Sequence, residues 1–148
     1  MRKWPPTCHA ERSEESENEV WSFGEEAYEI IKGLLFLRER LRPYIDEQMC
    51  LAHEKGIPPM RPLFFDFPDD PESANIDDEF LFGPHLLVAP VLQEGARSRK
   101  VYLPGGTIWT DAWTGQTFEG GQYLIAEAPL ERIPLYLRAN ARLPIREA

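Results

Sequence analysis

Five of the fourteen residues from Pro58 to Pro71 are proline. Proline has no amide proton and holds φ at about −65°, so neither a helix interior nor a central strand runs through such a stretch. The prolines enclose the apolar run Leu63-Phe64-Phe65-Asp66-Phe67. Its length suits one short buried strand or an extended crossing segment. The chain must change architecture here, and the residue pattern differs on the two sides.

On the N-terminal side the period is helical. Ser22 and Glu25 have the spacing of a capping box, which predicts a helix start at Phe23. Ala27, Ile30, Ile31, Leu34, Leu37, Leu41 and Ile45 follow in steps of three and four and make one apolar face. Leu35 and Phe36 extend it until the middle of the helix is apolar nearly all round. Such a helix needs partners on more than one side. Pro43 predicts a kink or a break, since its ring crowds the carbonyl of Glu39. Cys50 reads as a small core residue. Gly56 is the expected left-handed cap, and His53 just before it suits the negative end of the helix dipole.

Beyond the seam, Asp66, Asp69, Asp70, Asp77 and Asp78 read as turn and cap residues, with one helical turn around Asp77 to Leu81 closed by Gly83-Pro84. From His85 onward the period becomes two. Leu86 to Leu92, Val101 to Leu103, Thr107 to Trp113, Tyr123 to Ile125, Ile133 to Arg138 and Arg142 to Ile145 are predicted strands. Gly105-Gly106 is read as a hairpin turn, and Gly115 and Gly120-Gly121 as further turns. Short strands with turns at this spacing describe an antiparallel sandwich. The expected fold class is α+β: a long kinked N-terminal helix followed by an antiparallel β-sandwich. The expected divisions are an acidic disordered tail over 1–20, a helical segment over 21–60 and a β-domain over 61–148.

Composition narrows the function classes. The net charge of −9 opposes nucleic-acid binding, which needs clustered Lys and Arg. Glu11, Glu14, Glu15, Glu17 and Glu19 crowd a polar tail that buries too little apolar area to order itself. Cys8 and Cys50 do not make a disulfide framework. No apolar run approaches the roughly 20 residues of a membrane span. The first residues lack the apolar core of a signal peptide, so a cytoplasmic setting is expected.

The sequence shows no phosphate-binding glycine loop, no metal-ligand spacing and no nucleophile elbow. No catalytic residue, cofactor or metal is therefore assigned. Asp66 is an acid inside an apolar run but has no obvious partner carboxylate. Trp109, Asp111 and Trp113 share parity, which would put them on one face of a strand. Two tryptophans beside an acid suit sugar stacking, so Trp109 and Trp113 are the candidate carbohydrate contacts. A packed sandwich core is the alternative.

Several stretches together carry a family resemblance. They are Leu41-Arg42-Pro43-Tyr44-Ile45, the run from Gly56-Ile57-Pro58-Pro59-Met60-Arg61-Pro62-Leu63 to Phe64-Phe65-Asp66-Phe67-Pro68-Asp69-Asp70, and Phe82-Gly83-Pro84-His85-Leu86-Leu87-Val88-Ala89-Pro90-Val91. Val101-Tyr102-Leu103-Pro104, Trp109-Thr110-Asp111-Ala112-Trp113-Thr114-Gly115 and Pro134-Leu135-Tyr136-Leu137-Arg138 continue the series. From residue 21 to about 145 the chain resembles glycoside hydrolase family 31. The family's members are mostly retaining α-glycosidases, with two catalytic aspartates on a (β/α)8 barrel and a β-sandwich after it.

The resemblance implies that residues 21 to about 56 correspond to the last barrel helix and the rest to the C-terminal sandwich. No position here matches the motifs of the two aspartates. His9 falls near the place of a family active-site histidine, but Pro6-Thr7-Cys8-His9-Ala10 lacks the arginine usual two positions earlier. The expectation is a fragment with a structural role and no glycosidase activity alone. Its expected partners are the barrel or a second copy through the helix, and Arg61 with Asp66 would anchor the seam. The alternatives are a carbohydrate-binding module and an interaction domain for a separate barrel.

Overall fold

The computed structural model describes residues 20–146. His9, Cys8 and the acidic tail lie outside them. A 3-10 turn, Val20–Phe23, leads into helix α1, Glu25–Lys55. The strands and short helices follow in the order β1 Met60–Arg61, α2 Leu63–Asp66, a 3-10 turn Pro71–Ala74, β2 Phe80–Phe82, β3 Leu86–Val88, β4 Ser98–Leu103, β5 Ile108–Asp111, β6 Thr117–Glu119, β7 Gln122–Glu127 and β8 Leu135–Arg138. All strand pairs are antiparallel. One sheet has six strands in the order β1-β2-β3-β8-β5-β6, and β4 with β7 makes a second.

The helix, sheet and sheet stack as three layers with two cores. Leu81, Leu87, Trp109 and Tyr136 of the large sheet meet Val101, Leu103 and Ala126 of the small one, with Leu63 and Phe67 of the seam closing the space. The other face of the large sheet, through Leu86, Leu135 and Leu137, receives Leu37 and Tyr44 of α1, with Leu34 and Leu41 beside them. Side chains alternate across a strand, so β3 and β8 can feed both cores only by being apolar on successive residues. Their sequences Leu-Leu-Val and Leu-Tyr-Leu do that.

Local chemistry departs from expectation at several points. The capping box is not used: α1 starts after Gly24, with φ 88°, and has no side-chain cap. Pro43, where a kink or a break was expected, sits inside a helix that runs without a break from Glu25 to Lys55. Packing of Leu37, Leu41 and Tyr44 on the sheet outweighs the one backbone bond that proline forfeits. Cys50 is exposed rather than core, because its position on the helix turns away from the buried Tyr44–Gln48 stripe. Gly56 caps the helix in the left-handed conformation, its N–H bonding Ala52 O at 3.0 Å.

Leu63–Asp66 is a helical turn, not a strand, and the expected turn at Asp77 to Leu81 is displaced to Pro71–Ala74 while Phe80–Phe82 is strand. Residues 142–145 form no strand. The Gly105-Gly106 turn is not a hairpin either, since β4 pairs with β7 and β5 with β6 and β8. The chain crosses from the small sheet to the large one there and returns at Gly120-Gly121. A Cβ on Gly120 would lie 2.0 Å from Pro104 O, so only glycine allows the two crossings to touch.

Candidate functional site

The seam is held by charge as well as by the pairing of β1 with β2. Arg61 Nη1 lies 3.1 Å from Asp66 Oδ1, and its Nε donates to Pro58 O at 2.9 Å. Both side chains are largely buried, and the guanidinium also lies over the Phe65 ring. Proline leaves few donors in this stretch, so a side chain supplies them.

Asp70 ties the seam to the small sheet. It caps the Pro71–Ala74 turn through Glu72 N–H, and it accepts from the Tyr102 hydroxyl and Gly105 N–H, both at 2.8 Å. Its partial burial raises the pKa, but the hydrogen bonds from Gly105, Tyr102, Glu72 and Ser73 outweigh that and hold the carboxyl below its ordinary value. Phe67 completes the attachment, packing on Trp109 with the Arg138 guanidinium 4.4 Å from its ring centre.

Tyr44 does the same for the helix. Its hydroxyl donates to Phe82 O at 2.8 Å and accepts from His85 N–H at 3.3 Å, so one side chain spans the turn between β2 and β3. Burial raises its pKa, and at neutral pH it remains a donor. Arg40 fastens the C-terminal loop by donating to the carbonyls of Pro144 and Ile145.

The two candidate tryptophans are not on one face. Trp109 has no exposed surface and donates from Nε1 to Pro104 O at 2.9 Å in the inter-sheet core. Trp113 lies beyond the end of β5, packs against the helix-side cluster and donates to Ile133 O. Asp111 stands between them as a turn former, its Oδ1 accepting from Trp113 N–H and Thr114 N–H. Parity was lost because β5 stops at Asp111 and the chain turns. Asp66, Asp70 and Asp111 are thus each engaged in holding a turn or the seam.

Several large apolar side chains stay exposed. On α1, Leu35, Phe36 and Met49 are about half exposed or more, away from the Leu37–Tyr44–Gln48 stripe that meets the sheet. Met60, Phe64 and Phe65 of the seam are exposed to a similar degree. Their neighbours Leu63 and Phe67 are buried, so the seam faces inward and outward at once. Among the described residues, no group of three or more histidine, cysteine or carboxylate side chains is placed to hold a metal ion, and no helix is long and apolar enough to cross a membrane.

Residues 56–143 match the family model of the glycosyl hydrolase family 31 C-terminal domain. Over 127 residues the chain is 41% identical to alpha-glucosidase 2 of Bacillus thermoamyloliquefaciens, covering 86% of this chain and 16% of that protein. It is 38% identical to the alpha-xylosidase of Saccharolobus solfataricus, covering 86% and 17%. The crystal structure of a family 31 alpha-xylosidase from a soil metagenome superposes with a TM-score of 0.81 at 56% identity, covering 84% of this chain and 18% of that one. The chain thus spans about a sixth of the length of the curated relatives it matches. The helix, the seam and the β-domain are matched together, and the chain belongs to glycosyl hydrolase family 31, of which residues 56–143 are the C-terminal domain.

Proposed function

We propose that these residues are the bracing part of an α-glycosidase: the helix and seam dock on a catalytic barrel, and the barrel performs the hydrolysis. The observation that carries this reading is that Leu35, Phe36 and Met49 of α1 stay exposed although the Leu37–Tyr44–Gln48 stripe is already packed on the sheet. A helix that keeps large apolar side chains outside its packed stripe suits a place between two bodies. The packed stripe meets the sandwich, and a barrel fits the exposed side chains, since the relatives are roughly six times longer than the matched region. Retaining glycoside cleavage needs two carboxyl groups about 5–5.5 Å apart across the sugar bond. The carboxylates that this fold holds firmly are instead engaged in turns and ion pairs.

The test is activity and capture together. The full chain alone is expected to give no turnover of p-nitrophenyl α-glucoside or α-xyloside, and turnover would overturn the reading. Co-expressed with the remainder of the Bacillus thermoamyloliquefaciens alpha-glucosidase, it is expected to co-purify. Phe36→Asp should abolish that capture, because it places a charge in the apolar contact.

A further inference from the structure

Glu79 is the one buried carboxylate among the described residues left with an oxygen lacking any hydrogen-bond partner. It lies just before β2, on one side of a 340 Å³ cleft beside Arg61, Asp77 and Asp78. Its Oε1 accepts from Tyr102 N–H at 2.8 Å, a bond that crosses from the large sheet to the small one. The cation facing it is Arg99 of β4, and Arg99 is shared. Its Nη2 is 2.8 Å from Asp78 Oδ2 but 3.4 Å from Glu79 Oε1, and Nη1 reaches the carbonyls of Asp78 and Pro90. The other groups whose charge acts with that of Glu79 are Asp78 on its own loop, Tyr123 of β7 and Tyr136 of β8.

A carboxylate in this setting has a distant half-share of one guanidinium and an oxygen facing no donor. Burying such a charge is costly, whereas the neutral acid keeps the Tyr102 bond through its carbonyl oxygen. We propose that Glu79 is a proton-operated latch between the two sheets, closed while its carboxyl is neutral and loosened when the carboxyl ionises within its enclosure. In agreement, burial pushes the Glu79 carboxyl up to about 7, against the opposing effects of Tyr102 N–H and Arg99. The folded chain therefore keeps a proton that the unfolded chain releases near the ordinary glutamate value of 4.5. The stability this supplies is full below that value, falls as pH rises through about 7, and is absent above. An ion pair of ordinary kind would give the opposite slope.

The test uses the full chain. The 13C resonance of the Glu79 side-chain carboxyl, assigned by through-bond correlation from its own backbone amide, is followed against pH. A midpoint well above 4.5 is expected, and one at or below it overturns the proposal. Melting temperatures are then compared between the chain and Glu79→Gln at pH 5 and pH 8. The glutamine variant is expected to gain several degrees on the wild type between the two. A constant difference, or a wild type that gains with rising pH, overturns the latch. Should Glu79→Gln fail to fold, Arg99→Met in the 13C titration is expected to move the carboxyl midpoint higher still. An unmoved midpoint would overturn the role given to Arg99. The proposal stands apart from barrel docking, since neither measurement involves a partner.

Discussion

At the residue scale, Asp66, Asp70 and Asp111 act as fasteners. Asp66 illustrates why. An acid inside an apolar run is either a reactive group or half of a buried pair, and only the position of Arg61 Nη1 at 3.1 Å decides it. Arg61 precedes Asp66 by five residues, close enough that the pairing could be suspected from the seam itself. Asp70 is different: its partners Tyr102 and Gly105 are more than thirty residues away, and nothing local signals them. Arg61→Ala should cost about 3–5 kcal/mol, because it leaves the Asp66 charge enclosed without a counter-ion. The double variant Arg61→Met with Asp66→Leu should recover most of that loss, as measured by urea unfolding. A single variant as stable as the wild type would show that the pair does not hold the seam.

At the scale of elements, the helix and the β2–β3 turn are one device. Tyr44 grips the turn from both sides, and Gly83 within it has φ +62°. A Cβ there would lie 2.3 Å from the Tyr44 hydroxyl and 2.7 Å from Gln48. Gly83→Ala should therefore destabilise by about 2–4 kcal/mol, combining left-handed strain with overpacking. Amide exchange of Phe82 and His85 should quicken along with the global loss. An unchanged midpoint in urea would mean that the helix can retreat from the turn at little cost. The helix itself was legible from its period, and its C-terminus from Gly56. Its start was not, nor that it would run unbroken through Pro43. A cap matters less where the first turn is outside the packed region, and tertiary packing through Tyr44 carries the helix across the proline.

At the scale of the whole molecule, the helix has one packed stripe and several large apolar side chains left in water. The isolated chain should self-associate in a concentration-dependent manner, visible by sedimentation, because Leu35, Phe36 and Met49 remain in water. Leu35→Glu with Phe36→Asp should yield a monomer with an unchanged melting temperature, since neither side chain is in the sheet-facing core. A fall of several degrees would show that those residues also stabilise the monomer. The family, the α+β class, the long helix and the seam where the architecture changes are legible in the order of residues alone. The class, the helix and the seam follow from period, proline placement and turn glycines, which are properties of neighbours in the chain, and the family from the resemblance of several collinear stretches. It takes the folded chain to part Trp109 from Trp113, to cross between sheets at Gly105 and Gly120, and to enclose Glu79 with one oxygen unpaired. The physical reason is the same in each case: burial and pairing depend on which distant residue arrives opposite, and no local pattern encodes that distance.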